Sequence, residues 1–144
     1  MIGQDYTGTD GPPIRFRALL SADEQSAPTE SPGAGCIAFE LDRPTLRLSW
    51  TLEYSPLTSE ATGAHVHGPQ TPGGNAGVLF DLAPDGLDSP VESATILTEA
   101  VMAYILTGRA YVNVHTTVYP AGELRGQIMR LRPETTDVGC EGLY

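Results

Sequence analysis

Segment 45–54 alternates without a break. Leu46, Leu48, Trp50, Leu52 and Tyr54 fall on one side of an extended chain, with Thr45, Arg47, Ser49, Thr51 and Glu53 on the other. Successive side chains of a strand point to opposite faces, so this pattern predicts a half-buried β-strand. Shorter segments of the same kind recur at 14–18, 36–41, around His65 and His67, at 76–82 (Val78 and Phe80 on one side), 93–97, 110–117 and 123–131. Turn-rich stretches separate them, such as 21–35 with Pro28 and Pro32, and 67–75 with two prolines and three glycines. One helix is expected at 98–106, with Thr98 as N-cap, Glu99 in the first turn and Gly108 as its stop. About eight short strands and one short helix read as an all-β sandwich or barrel.

A chain of 144 residues is one domain by size. Residues 1–13 read as a flexible leader, 14–132 as the β domain and 133–144 as a tail tethered by Cys140. No apolar run reaches the roughly 20 residues needed to span a bilayer, which argues against membrane insertion. The N-terminus lacks the basic and apolar regions of a signal peptide, so an exported form is expected to have lost its leader. The formal charge is −10 and all eight basic residues are arginine. Nucleic acid, which demands clustered positive charge, is therefore not an expected partner; cations are.

The chemistry concentrates in two segments that hold all three histidines: Ala64-His65-Val66-His67-Gly68 and Tyr111-Val112-Asn113-Val114-His115-Thr116. In strands, His65 and His67 share a face while Val66 points into the core. Val112 and Val114 face inward, with Tyr111, Asn113 and His115 outward. Convergence of the two segments would place three imidazoles together, a donor set that suits copper, zinc, iron or nickel. A solvated polar face is the plainer alternative.

On the last strand Leu124, Gly126 and Ile128 match the apolar side, leaving Glu123, Arg125 and Gln127 outward beside Asn113 and His115 in one polar patch. Glu123 and Arg125 would form a cross-strand surface ion pair of small value, or else serve the site by orienting a metal-bound imidazole or receiving an anionic ligand. Asn113 and Tyr119 are further candidates for support around the metal. Cys36 and Cys140 have no CxxC or Cys/His neighbours; a disulfide is favoured over two unpaired thiols and fits an oxidising compartment.

Four ordered motifs carry a family resemblance: Gly63-Ala64-His65-Val66-His67-Gly68-Pro69, Ala76-Gly77-Val78-Leu79-Phe80-Asp81-Leu82, the run from Gly108 to Thr116, and Tyr119-Pro120-Ala121-Gly122-Glu123-Leu124-Arg125-Gly126-Gln127-Ile128. Together they resemble the CHRD domain, the module named after chordin and also found in bacterial secreted proteins, over roughly residues 14–132. That family is in turn thought similar to copper/zinc superoxide dismutase, which implies a Greek-key, immunoglobulin-like β-sandwich or barrel. Carried over, His65 and His67 resemble the dismutase strand that supplies two copper ligands, and His115 the later strand that supplies another. Arg125 resembles the arginine that guides superoxide. No histidine remains for the bridging position or for a zinc site.

The resemblance thus implies an exported protein with one copper ion on three histidines, redox-active toward a small anion such as superoxide. The alternatives are a copper-buffering module without turnover, a zinc–water site with Glu123 as the available base, and an interaction or adhesion domain that binds no metal.

Overall fold

The computed structural model describes residues 11–25 and 29–144, so most of the expected leader lies outside the described residues. In chain order the elements are β1 (Ile14–Ser21), a 3₁₀ turn (Ala22–Glu24), β2 (Ala34–Asp42), β3 (Arg47–Tyr54), β4 (Ala61–His67) and β5 (Val78–Asp81). After them come β6 (Val91–Ile96), α1 (Glu99–Leu106), β7 (Tyr111–Thr116), β8 (Leu124–Gln127) and β9 (Met129–Arg130). The fold is all-β, as the alternation requires.

The strands form one curled antiparallel sheet in the order β5-β4-β7-β8-β1-β2-β3-β6, with β9 pairing β1. β3 lies beside β6 although the β4–β5 hairpin intervenes in sequence, and that hairpin lies beside β7. The chain therefore crosses repeatedly between the two halves of the sheet, in Greek-key fashion. Curling the sheet brings the inward residues of both halves together: Phe16, Ile37, Leu48, Trp50 and Leu52 from one half meet Val66, Val112, Val114 and Leu124 from the other. Trp50 packs its ring 5.6 Å from that of Phe80 and donates its indole N–H to the Leu82 carbonyl at 2.9 Å.

The helix begins as its sequence dictates, the Thr98 hydroxyl accepting from the Val101 amide. Among the described residues, no helix is long and apolar enough to cross a membrane. Cys36 and Cys140 are joined in a disulfide with Cα atoms 5.7 Å apart. The C-terminal segment is tied down beside it, Arg17 donating to the carbonyls of Asp137 (2.9 Å) and Gly139 (3.0 Å).

Several expectations need correction. Leu46 does not belong to the β3 strand; Pro44 interrupts pairing, and Leu46 takes a left-handed φ of 59° in the turn while still resting against the core. Strand 76–82 shortens to β5, where a register shift between Val66 and His67 separates the fates of Val78 and Phe80. Val78 is 57% exposed and Phe80 is half-buried. Strand 123–131 breaks at Ile128, whose amide leaves the ladder to donate to the Ala110 carbonyl, so that β8 pairs with β7 and β9 with β1.

The largest correction concerns the polar patch. Tyr111, Asn113, Glu123 and Arg125 are all buried. Chain segments far away in sequence cover them: Gln25 bonds to Asn113, Ser31 and Thr58 to Glu123, and Asn75 to Arg125. Glu123 and Arg125 therefore do not form an exposed ion pair.

Candidate metal centre

β4 and β7 lie side by side and antiparallel, with Gly63 opposite His115, His65 opposite Asn113 and His67 opposite Tyr111. This register brings His115 next to His65 across the ladder. Gly63 makes the space, since a Cβ there would stand 3.1 Å from His65 Cε1 and 3.9 Å from His115 Cδ2. The His65 ring centroid lies 5.8 Å from that of His67 and 5.0 Å from that of His115, with His67 and His115 5.9 Å apart. One nitrogen from each imidazole can be chosen so that all three lie within 4.8 Å of one another. The sequence-predicted histidines are thus brought together.

The hydrogen bonds define which nitrogens are available. Nδ1 of His67 donates to the Ala76 carbonyl and Nδ1 of His115 to the Pro120 carbonyl, each at 3.0 Å. That tautomer leaves Nε2 of both rings as a lone pair, the usual second-layer arrangement of a metal-binding histidine. Nε2 of His67, Nε2 of His115 and Nδ1 of His65 are buried and have no hydrogen-bond partner among the described residues. Buried ring nitrogens left without partners are costly unless something satisfies them, and three clustered imidazoles fit a single transition-metal ion. Burial holds the His67 and His115 imidazoles below the ordinary histidine pKa. The bonded carbonyls oppose that, and neighbouring imidazoles lower both further, joined for His67 by Arg125. Both rings are therefore neutral and ready to ligate at neutral pH.

The site opens outward into a shallow depression of about 280 Å³, rimmed by Thr62, Gly63, Val78 and Pro120. An ion there would keep at least one side free for a small ligand. Arg125 does not reach this rim. It is 1% exposed, its guanidinium carbon lies 3.6 Å from the centre of the Tyr111 ring, and it donates to Asn75 Oδ1 at 3.3 Å. Tyr111 in turn stacks on His67 with centroids 5.0 Å apart and planes 6° from parallel. The Tyr111 hydroxyl accepts from the Ala76 amide at 2.9 Å and donates to its carbonyl at 3.3 Å, the same carbonyl that takes the His67 proton.

The other expected residues act at one remove. Asn113 accepts from Gln25 and donates to the Ala121 carbonyl. Glu123 accepts from Ser31, from the hydroxyl and amide of Thr58, and from Thr116, with no bond to an imidazole. Burial alone would raise the Glu123 carboxyl, but these donors outweigh it and hold the pKa below the ordinary glutamate value. Tyr119 contributes main chain: its amide donates to Thr116 Oγ1 and its carbonyl accepts from the Thr116 amide, which fixes the loop that presents Pro120 to His115. Ala76 and Pro120 carry no side-chain signal for such a role; what could have found them is their place in the loops that follow each histidine strand.

No curated protein and no solved structure gives a significant match. The CHRD domain family matches residues 16–128, which takes in both histidine strands and the polar hairpin. Spanning most of the chain as it does, that match makes this protein a member of the CHRD domain family.

Proposed function

We propose that this protein is an exported CHRD domain that holds one copper ion on His65, His67 and His115. The observation that carries the reading is the trio of sheltered imidazole nitrogens without partners among the described residues, two of them fixed in the ligating tautomer by main-chain carbonyls. Copper heads the divalent affinity order for nitrogen donors, and three neutral imidazoles with an open side suit both of its common oxidation states. A buried disulfide fits the oxidising conditions met outside the cytosol. A hydrolytic zinc site on the same ligands would have no general base from Glu123, which is bonded to Thr58 and Thr116.

Bound copper supplies reversible one-electron chemistry, sufficient for two superoxide anions and two protons to become dioxygen and hydrogen peroxide. The chain's part is to present three imidazoles, two of them held by the Ala76 and Pro120 carbonyls, and to leave the rim between Val78 and Pro120 open to a diatomic ligand. A second reading, copper holding without turnover, is favoured by the burial of Arg125: the cation that would draw an anion to the rim lies behind Tyr111, in a chain of net charge −10.

The test is metal-free purification followed by copper loading. One copper per chain, and Cu(II) paramagnetic resonance showing three nitrogen ligands that His115→Ala reduces, are the expected results. Superoxide consumption above that of equimolar free copper would select the redox reading, and consumption no faster would leave the holding one. Absence of stoichiometric copper would sink both.

A further inference from the structure

We infer that Arg125 is a positioning residue that places an unneutralised positive charge beneath the His67 side of the site and biases a bound copper ion toward the cuprous state. This inference rests on the copper reading above and assigns Arg125 a role other than meeting an anion.

Arg125 is buried, and a guanidinium stays protonated under any physiological condition. Such a group inside a protein normally has a carboxylate beside it, because an uncompensated buried charge is costly. Glu123, fully buried two residues away, is the obvious candidate, yet its oxygens face Ser31, Thr58 and Thr116. Arg125 receives instead the face of Tyr111 and one neutral carboxamide oxygen, that of Asn75, while its second terminal nitrogen has no partner among the described residues. Glu24 acts on it only through space. Among the described residues the charge is thus kept without a carboxylate in ion-pair contact.

Its position gives that charge a target. Arg125, Tyr111 and His67 are linked ring to ring, at 3.6 Å and then 5.0 Å, so the guanidinium lies within about 9 Å of the His67 imidazole. The intervening ring is an aromatic face rather than water, so screening is weak. A unit charge about 10 Å from an ion, at an effective dielectric of about 20, changes the balance between two states differing by one charge by roughly tenfold. The sign favours the less charged ion: Cu(II) is weakened more than Cu(I). Neutral imidazole ligands, with no thiolate or carboxylate among them, leave this field uncancelled.

The experiment measures Cu(I) and Cu(II) dissociation constants by competition with chelators specific for each state, on wild-type protein, R125M and R125K. Methionine keeps much of the bulk against Tyr111 without the charge, and lysine keeps the charge. The expected result is a shift of about tenfold in the Cu(I)/Cu(II) affinity ratio toward Cu(II) in R125M and a ratio within threefold of wild type in R125K. Zn(II), with one charge state, should tighten in R125M alongside Cu(II). A ratio within twofold of wild type in a folded, copper-binding R125M would overturn the inference and leave Arg125 a packing residue. A wild-type protein that binds Zn(II) but no copper would sink the copper reading, and the redox bias with it. Should R125M fail to fold, R125Q, which can still donate to Asn75, takes its place with the same two outcomes.

Discussion

Thr116 donates its hydroxyl to Glu123 at 2.9 Å, one residue beyond the third histidine. The same hydroxyl oxygen accepts from the Tyr119 amide, and Pro120, the next residue, offers its carbonyl to His115. A carboxylate that touches no imidazole is thus coupled to one through a single turn of chain.

Glu123→Gln should lower stability by about 2–3 kcal/mol, because charge-assisted hydrogen bonds inside the protein are exchanged for weaker ones and one acceptor becomes a donor. The sign with pH follows from the depressed pKa of Glu123. Its contribution is complete above the ordinary glutamate pKa and disappears as pH falls through the lower folded value. Urea midpoints measured from neutral pH down into the acid range should show wild type and variant converging; a constant gap would contradict the assignment.

His115→Ala should weaken metal binding by at least about a hundredfold, since two strand imidazoles cannot enclose an ion as three do. Its effect on folding should be small, under about 1 kcal/mol, because the ring is only half-buried and contributes little to the core. Competition titration and thermal melting on the same preparation separate the two effects.

Gly63→Val should dissociate site from fold in another way. Valine suits a strand, but its side chain would press on His65 and His115, the first already 3.1 Å from a Cβ at this position. Metal affinity should fall about tenfold or more while the far-ultraviolet circular dichroism stays that of the parent. Unchanged affinity would show that the imidazoles have room to spare.

Replacing both Cys36 and Cys140 by alanine removes a crosslink spanning 104 residues of sequence. The unfolded chain then regains freedom worth roughly 4–5 kcal/mol in the chain-entropy account. Denaturant midpoints of oxidised wild type and the double variant should differ accordingly, and a reductant should shift only the wild type.

The alternation in 45–54 and the i, i+2 histidines were readable because strand periodicity is local: the phase of each segment decides which residues share a face. His65, His67 and His115 could be placed on common faces that way, and the family motifs made the two strands neighbours. The burial of Asn113, Glu123 and Arg125 could not be read by the same rule. Their phase is that of a solvent face, and what covers them arrives from Gln25, Ser31, Thr58 and Asn75, far away in sequence. Polar residues can occupy an inside position when distant partners satisfy them, and no local pattern announces those partners. Leu46 escaped for a related reason, its apolar character being used by a turn that still touches the core.

The place of β1 in the sheet has a consequence of a different kind. It lies in the middle, between β2 on one side and β8 and β9 on the other, so the first of the described strands cannot be fully paired until the last of them are in place. Closing its second edge joins residues more than 100 positions apart. Topologies dominated by such distant contacts fold in milliseconds to seconds rather than microseconds. The slow step should be the docking of β8 and β9 onto β1, which is also the step that sets the polar hairpin beneath the histidines.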